Sequence, residues 1–244
     1  MTELSIVLPV FNEAENIPIV AGEVLAVIDQ MSVPAEVLFV DDGSTDGSVD
    51  AIGAVMAKDT RVRLLRMKAH AGLTAAFDAG YANSTGRIVV TMDADLQNDP
   101  WDIGALLEAL KTADAAVGWR VQRHDHWRKR VSSRIANAIR TRMLGDDVID
   151  SACSLRALHR HCLDALLPYN GLHRFVPTLL RASGFRVTQV PVRHRPRRFG
   201  SSKFGVSNRA VRAFVDLLAV KWLLRRRLRY QVDEVPASKF RAVP

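Results

Sequence analysis

Short apolar segments alternate with helical segments through the first half of this chain, and this alternation restricts the fold more than any other feature. The predicted strands are Leu4–Pro9, Glu36–Val40, Val62–Arg66 and Arg87–Met92, and the predicted helices between them are Glu13–Gln30, Ser48–Lys58 and Leu73–Asn83. Strands and helices that alternate across short connections form mostly parallel sheets covered by helices. The sequence therefore predicts an α/β fold with a doubly wound, mostly parallel sheet. In such sheets ligands bind at the carboxyl ends of the strands.

The second half of the chain continues the pattern less regularly. It contains a predicted helix, two predicted strands and a final helix at Asp102–Thr112, Ala115–Trp119, Gly184–Val192 and Arg209–Arg229. The apolar stretch Ala213–Leu224 within the last helix is interrupted by Asp216 and Lys221, and it is shorter than the roughly 20 residues that span a bilayer. The helix fits equally well against the core or on an anionic membrane surface, with Arg225–Arg227 near the headgroups. We expect a catalytic domain at 1–208, this amphipathic helix at 209–229 and a disordered tail at 230–244.

Charge is divided unevenly between the two halves. Residues 1–110 contain 6 Lys/Arg and 17 Asp/Glu, a net charge of −11, whereas residues 111–244 contain 28 and 9, a net charge of +19. The basic segments Arg120–Arg142 and Arg193–Arg212 could bind nucleic acid, phosphorylated lipid or an anionic membrane surface. Nucleic-acid binders usually add aromatic side chains that stack on bases, yet aromatic residues make up only 7% of the chain. A nucleic-acid-binding module is therefore the distant alternative.

The expected location follows from the cysteines and the N-terminus. Cys153 and Cys162 are too far apart for a C-x-x-C redox or zinc pair, and two isolated cysteines favour a reducing compartment. The apolar run after the polar N-terminus is short and contains Pro9, unlike a signal peptide. These features predict a cytoplasmic protein, peripheral at the membrane face if the last helix lies on lipid.

Two carboxylates follow the fourth predicted strand, in the motif Asp93-Ala94-Asp95. Alternate side chains at the end of a strand point the same way, so Asp93 and Asp95 are expected to emerge together. Paired carboxylates suit Mg²⁺ or Mn²⁺, which keep coordination positions for substrate phosphates. The position directly after a buried strand favours this function over a chance D-x-D pattern.

Polar motifs also follow the first and second predicted strands. The segment Asp41–Gly47 resembles the start of a calcium loop, but the twelfth position of that loop is Gly53 instead of the required Glu, so the calcium interpretation is rejected. An ordinary Asp- and Gly-rich turn stays open, as does an Asp that holds a ribose or a base. Asn12, near the end of the first strand, is either a helix cap or part of a site. All three strand ends are expected to face one crevice.

With these motifs the chain resembles glycosyltransferase family 2, and within it the polyprenyl-phosphate sugar transferases, which include dolichyl-phosphate mannose synthase. The resemblance covers roughly residues 3–225. It rests on P-V-F-N-E-A-E-N from Pro9, V-D-D-G-S-T-D-G-S from Val40, A-G-L-T-A-A-F-D-A-G from Ala71, D-A-D-L-Q-N-D-P from Asp93, G-W-R from Gly118 and R-R-F-G-S-S-K-F-G from Arg197.

The resemblance implies a nucleotide-sugar fold of the A type and a set of site residues. Around the nucleoside it implies Pro9, Phe11, Glu13 and Asp42. At the metal and diphosphate it implies Asp93, Asp95 and Gln97, with Mg²⁺ or Mn²⁺. At the acceptor phosphate it implies Arg120, Arg130 and Ser133, and in a flexible acceptor loop at about 193–207 it implies Arg197, Arg198, Ser202 and Lys203. Asp95, Arg120 and Arg130 are the expected catalytic residues.

One departure from the family pattern bears on the acceptor. Members that act on hydroxyl groups carry an acidic general base after the metal motif, whereas the matching stretch here, residues 171–175, reads G-L-H-R-F. A phosphate acceptor is already ionised and needs no base, and arginine forks match phosphate. We therefore expect inverting transfer from a nucleotide diphosphate sugar to a polyprenyl phosphate. The alternative is transfer to a sugar or lipid hydroxyl, with His173 as the only obvious substitute base.

Overall fold

The computed structural model describes residues 2–121, 137–200 and 207–227, and it describes side chains of the last segment from residue 213 onward. The strands are β1 (Leu4–Val10), β2 (Ala35–Asp41), β3 (Val62–Arg66), β4 (Ile88–Thr91), β5 (Ala115–Arg120), β6 (Arg156–His159) and β7 (Val187–Val192). The helices are α1 (Ile17–Met31), α2 (Ser48–Met56), α3 (Leu73–Asn83), α4 (Ile103–Ala109), α5 (137–144), α6 (Val176–Ala182) and α7 (Ser207–Arg226). Short 3₁₀ turns lie at Pro100–Asp102, Arg160–Ala165 and Leu172–Arg174.

The described strands form one sheet in the order β3-β2-β1-β4-β6-β5-β7. Every pairing is parallel except those of β6, which runs antiparallel to both β4 and β5. The predicted doubly wound, mostly parallel sheet is thus confirmed. The carboxyl ends of β1, β2 and β4 lie at the same edge, which brings the three polar motifs of the sequence into one region.

Both faces of the sheet are buried by helices. Alternate residues of β1 point to opposite faces: Ile6 and Leu8 belong to a core cluster with α1, α2 and α4, and Val7 belongs to a second cluster with α3, α6 and α7. A strand that is buried on both faces shows a continuous apolar run instead of an alternating one, which is the pattern of β1 and β2.

Element boundaries differ from the predictions in two informative places. Helix α1 begins at Ile17 instead of Glu13, because the backbone N–H groups of Asn12 and Glu13 bond to Ser44 and Ser48 in the loop after β2. Strand β6 and helix α6 have no counterpart among the predicted elements. They contain only four and seven residues, too few to show a hydrophobic period.

Helix α7 corresponds to the predicted helix 209–229, and it packs on the core through Leu217 and Val220. Its outward side carries large exposed apolar residues. No helix in the described part of the chain has the length and apolar character needed to span a membrane. The predicted disordered tail and most of the basic segment Arg120–Arg142 lie outside the described residues.

Candidate active site

The metal motif forms a tight, hydrogen-bonded turn after β4. Leu96 has a φ of 64°, an uncommon conformation for a residue with a large side chain, and the next N–H, that of Gln97, donates to Oδ1 of Asp95 at 3.1 Å. The side chain of Asn98 accepts from the backbone N–H of Asp93 at 3.2 Å and from Ser154 Oγ at 3.1 Å. The turn is therefore held both by its own backbone and by the segment before β6.

Both carboxylates of the motif have perturbed acidity. Burial raises the pKa of Asp93, while a hydrogen bond from Ser154 and the charges of Arg120, Arg156 and Arg197 lower it. Burial and then the neighbouring Asp93 raise the pKa of Asp95 to about 6, against the opposing effect of Arg197. Two like charges in a dry site disfavour each other's ionisation. A bound cation would relieve that conflict.

The donor set fits a hard divalent cation that shares its coordination with a substrate. Within residues 2–121, 137–200 and 213–227, no group of three or more His, Cys, Asp or Glu side chains is arranged to hold a metal. Asp93 and Asp95 offer two carboxylates, which leaves positions for phosphate oxygens, as Mg²⁺ commonly requires. Gln97 follows directly in the same turn, and its backbone carbonyl accepts from the N–H of Arg195 at 2.9 Å. Its role as a ligand stays a prediction.

Arg197 lies against the acidic groups of the donor motifs, and its role in binding the acceptor stays a prediction. Its Nη2 donates to Oδ2 of Asp95 at 2.5 Å, and its Nη1 lies 3.7 Å from Oε1 of Glu13. The guanidinium thus links the loop after β1 to the loop after β4. The next residue, Arg198, stacks its guanidinium over the ring of Phe199 at 5.6 Å.

The segment that leads to Arg197 is fixed by two further arginines. Arg193 pairs with Asp99 at 3.0 Å and with Asp102 at 2.9 Å, and Arg195 pairs with Glu23 and Asp99, both at 2.7 Å. Alternate side chains of this extended segment thus point to the same acidic surface, and the flexible acceptor loop at about 193–207 stays a prediction. Ser202 and Lys203 lie outside the described residues.

Arg120, at the end of β5, is also ion-paired. Its Nε and Nη2 donate to the two carboxylate oxygens of Asp150 at 2.6 and 2.9 Å, and both side chains are largely buried. Such a bidentate pair fixes the plane of the guanidinium. Sequence reasoning missed Asp150, because it lies 30 residues away in no recognisable motif. Arg130 and Ser133, the other predicted acceptor residues, lie outside the described residues.

The loop after β2 carries the predicted nucleoside residue Asp42. Its carboxylate accepts from the N–H groups of Ala71 at 2.7 Å and Gly72 at 2.8 Å, and its Oδ2 lies 2.9 Å from Nδ1 of His70. The His70 ring stacks on Phe11 with centroids 4.2 Å apart. A carboxylate has about four acceptor sites, so Asp42 keeps capacity for one more donor. His70 lies in no motif, and sequence reasoning missed it.

The loops after β1 and β2 are joined by hydrogen bonds. Asn12, with a φ of 55°, donates its N–H to Ser44 Oγ and accepts from the N–H of Thr45, both at 2.8 Å. Glu13 accepts from Asn16 Nδ2 at 2.5 Å. Pro9 differs from the other predicted nucleoside residues because it lies within β1, paired with Val40. The structure thus assembles the three strand-end motifs in one place, as predicted.

Residues 171–175, where an acidic base is absent from the sequence, contain His173 and contact an acidic side chain of α7. Nδ1 of His173 lies 2.7 Å from Oγ1 of Thr74, which also accepts from the N–H of Gly171 at 3.0 Å. Asp216 lies directly on this turn, and its Oδ2 accepts from Nη1 of Arg174 at 3.0 Å. A carboxylate is therefore present near residues 171–174, although the local sequence contains none.

Comparison with known proteins decides the family. The family described as Glycosyl transferase family 2 matches residues 5–167. The chain belongs to glycosyl transferase family 2. Its curated family 2 relatives include undecaprenyl-phosphate 4-deoxy-4-formamido-L-arabinose transferase of Sodalis glossinidius, 36% identical over 206 residues, which are 84% of this chain and 63% of the relative. Dodecaprenyl-phosphate galacturonate synthase of Rhizobium johnstonii is 34% identical over 233 residues, 93% of this chain and 69% of the relative.

Solved structures agree with the family 2 fold. Glucosyl-3-phosphoglycerate synthase from Mycobacterium tuberculosis, in complex with Mn²⁺, uridine diphosphate and phosphoglyceric acid, superimposes with a TM-score of 0.68 at 21% identity, covering 92% of this chain and 78% of that one. The same enzyme with Mg²⁺ and uridine diphosphate gives a TM-score of 0.67 at 21% identity, covering 92% of this chain and 79% of that one. At this identity the likeness concerns the fold. The chain spans about 63% of the length of the arabinose transferases that it matches.

Proposed function

We propose that this chain transfers a sugar, with inversion at the anomeric carbon, from a nucleotide diphosphate sugar to a polyprenyl phosphate. The observation that carries the proposal is the pair of carboxylates at the end of β4, half-buried Asp93 and buried Asp95, with arginines on adjoining elements. Acidic groups that hold a metal and basic groups that hold phosphate are what a donor diphosphate and an anionic acceptor require. Relatives named for undecaprenyl and dodecaprenyl phosphate support this acceptor class.

The donor half of the proposal assigns a metal to the turn after β4. Asp93 and Asp95, with Gln97, would hold Mg²⁺ or Mn²⁺, which neutralises charge on the departing diphosphate when bound. The nucleoside is assigned to the surface of Phe11, Glu13 and Asp42, where Asp42 retains acceptor capacity. Fold neighbours in complex with Mn²⁺ or Mg²⁺ and uridine diphosphate support this assignment. The sugar, including the mannose suggested by the resemblance, stays a prediction.

The acceptor half of the proposal needs no proton transfer from the protein. A phosphate monoester is ionised near neutral pH, so its oxygen can attack without a general base. Arg120 is oriented by Asp150 and lies three residues beyond Val117, which pairs with β6 beside β4. We assign the acceptor phosphate to Arg120, together with Arg130 and Ser133. Arg197, Arg198, Ser202 and Lys203 are assigned to the acceptor loop that contacts the same phosphate.

The acceptor is a lipid, and α7 offers a surface for the membrane that contains it. Phe214, Val215, Leu218 and Trp222 are exposed along one side of α7, and Arg225–Arg227 follow at its end. Apolar residues that enter the headgroup region, next to cations that attract anionic lipid, are typical of helices lying on a membrane surface. We infer a peripheral protein at the cytoplasmic membrane face, with the chain divided into a catalytic domain at 1–208 and the helix beyond it.

Transfer to a hydroxyl group is the second candidate, and Asp216 is the observation that favours it. This carboxylate lies on Gly171, in the turn where hydroxyl-transferring relatives are expected to carry a base. Its ion pair with Arg174 argues against the role, because the carboxylate is already engaged in a contact that joins α7 to this turn. If Asp216 is the general base, Asp216→Asn is expected to abolish turnover while donor binding persists. If Asp216 serves only in an ion pair with Arg174, the same variant is expected to lower the stability of the protein instead.

The proposed function is tested by following labelled sugar into an organic phase. Purified protein with Mn²⁺ and a panel of labelled nucleotide sugars is offered either undecaprenyl phosphate or undecaprenol in vesicles. We expect lipid-soluble label with the phosphate only, and none with Asp95→Asn. The matched control is Glu108→Gln, which removes an exposed carboxylate that pairs with Lys111. Label in undecaprenol would favour the second candidate, and no transfer from any donor to either lipid would refute the proposal.

A further inference from the structure

Arg156 is a buried cation at the centre of the site edge, and none of the roles described so far involves it. It begins β6 and pairs with Thr91 of β4 on one side and Val117 of β5 on the other. Asp93 follows Thr91 by two residues, and Arg120 follows Val117 by three. The side chain of Arg156 is only 3% exposed. Its charge is therefore fixed between the strand that carries the metal motif and the strand that carries an acceptor arginine.

The hydrogen bonding of Arg156 is incomplete for a buried guanidinium. Nη2 donates to the carbonyl of Ser151 at 3.1 Å, while Nε is buried and meets no acceptor in the described part of the chain. Two other buried or largely buried arginines differ, since Arg120 pairs with Asp150 and Arg140 pairs with Asp146. A guanidinium cannot lose its proton, and an unpaired buried charge reduces stability. The charge of Arg156 is therefore not neutralised by a direct ion pair within the described residues.

The group on which this charge acts is the Asp93 carboxylate. Arg156 and Thr91 are partners across the ladder, so their side chains share a face, and Asp93 points to that face as well because it lies two residues further along. The contact between the strands is rigid, since Thr91 Oγ1 donates to the carbonyl of Ser154 at 2.6 Å and Ser154 Oγ donates to Asn98. Arg156 is also among the charges that lower the pKa of Asp93.

We propose that Arg156 is a positioning residue whose fixed charge, acting beside Asp93, favours the departing nucleoside diphosphate over the intact donor. This inference rests on the proposed function. Arg120 and Arg197 are already paired with carboxylates, so Arg156 supplies positive charge that no described side chain pairs with directly. Fixed charges aimed at developing charge stabilise a transition state without reorganisation.

The charge balance of the reaction explains why the departing group is favoured. An oxygen of the acceptor phosphate forms a bond to the anomeric carbon while the bond from that carbon to the β-phosphate oxygen breaks, and the electron pair stays on that oxygen. The diphosphate gains one negative charge, and the acceptor phosphate loses one. A cation near the diphosphate therefore stabilises that group more strongly after the bond breaks than before.

The test measures binding by calorimetry with Mn²⁺ present, comparing a nucleoside diphosphate with its glucose derivative. UDP is the first probe, and GDP replaces it if UDP does not bind. A unit charge at about 10 Å in a protein site changes affinity on the order of tenfold. We expect Arg156→Gln to weaken the binding of the nucleoside diphosphate by about this factor and the binding of its glucose derivative clearly less. The binding of Mn²⁺ alone should not be weakened. Arg156→Lys, which keeps the charge, is expected to restore most of the preference.

The matched control is Arg160→Gln, which removes an arginine at the opposite end of β6. The side chain of Arg160 donates to the carbonyl of Gly86 and to Ser84 Oγ, beside the start of β4, and its loss is expected to leave the binding of both ligands unaffected. If Arg156→Gln weakened the binding of all ligands equally, or weakened none, the inference about Arg156 would be overturned while the proposed function would stand. If Arg156→Gln does not fold, the same binding measurements are made with Arg156→Met. If neither variant folds, the role of Arg156 is purely structural and the inference is overturned. A wild-type protein that binds no nucleotide with Mn²⁺ would overturn the proposed function as well.

Discussion

Glu36 provides a quantitative test of the electrostatics that hold the strands together. It is buried near the start of β2, and its Oε1 accepts from Ser5 Oγ and the N–H of Thr85, both at 2.6 Å, and from Thr85 Oγ1 at 2.8 Å. Its Oε2 accepts from Arg63. One carboxylate thereby joins β1, β2, β3 and the turn that leads into β4. The perturbation is Glu36→Gln, which keeps the shape of the side chain and removes its charge.

The pKa of Glu36 sets the size of the expected effect. Burial acts to raise it, but the hydrogen bonds from Ser5, Thr85 and Arg63 together outweigh burial and lower it from 4.5 to about 2. At about 1.4 kcal/mol per pH unit this fall corresponds to roughly 3 kcal/mol. A lowered carboxylate pKa stabilises the protein fully above the unfolded value of 4.5. That stabilisation is lost as the pH falls from about 4.5 towards 2.

Urea unfolding of wild type and Glu36→Gln at pH 7, 5, 4 and 3 measures the effect. The variant is expected to lose between about 1 and 3 kcal/mol at pH 7, since the amide oxygen can keep the bonds from Ser5 and Thr85 while the amide nitrogen faces Arg63. The difference should shrink below pH 4.5, whereas the exposed control Glu108→Gln should change little at any pH. A variant as stable as wild type at pH 7, or a difference that does not vary with pH, would refute the reasoning.

Three further predictions concern the site and its surroundings. Burial and Asp93 raise the pKa of Asp95 to about 6, so a proton competes with the metal for this carboxylate. Mn²⁺ binding, measured by electron paramagnetic resonance, should therefore weaken as the pH falls below 6 and be largely lost in Asp95→Asn. Binding that does not depend on pH would contradict this prediction. Gly171→Ala should lower stability by about 2 kcal/mol or more, because φ is +102° and the new Cβ would lie 2.5 Å from Oδ2 of Asp216. Gly145→Ala, with a φ of +70° and open space around it, isolates the backbone cost, and equal thermal shifts would exclude the clash. Trp222→Ser should reduce sedimentation with anionic vesicles at least about tenfold, whereas Leu167→Ser, equally exposed elsewhere, should not; equal losses would argue against α7 as the membrane surface.

The sequence predicts those parts of the fold and site that are encoded locally. The strands β1 to β4 are recognisable because each is a short apolar run beside a helical period, and Asp93 and Asp95 are recognisable because they follow one of these runs directly. The pairing of Asp150 with Arg120 is not recognisable, since it joins residues 30 positions apart and depends on the path of the chain between them.

The arginines after β7 show a second limit of sequence reasoning. Their basic composition did not reveal that Arg193, Arg195 and Arg197 pair with acids from three other segments of the chain. Composition gives the charge of a segment, whereas its partners depend on which acidic loops the fold places opposite. The same holds for His70, whose contact with Asp42 depends on the separation of β2 and β3.

The reversed direction of β6 determines which parts of the chain can evolve new specificity. In a purely parallel sheet, only the connections that leave the strands reach the ligand edge, so each strand contributes one variable loop. Because β6 runs the other way, the connection that enters it reaches that edge as well, and it delivers Asp150, Ser154 and Arg156 there. Substitutions at 150–156 should therefore alter substrate preference as strongly as substitutions in the loops after β4 and β5, although this segment carries no recognisable motif.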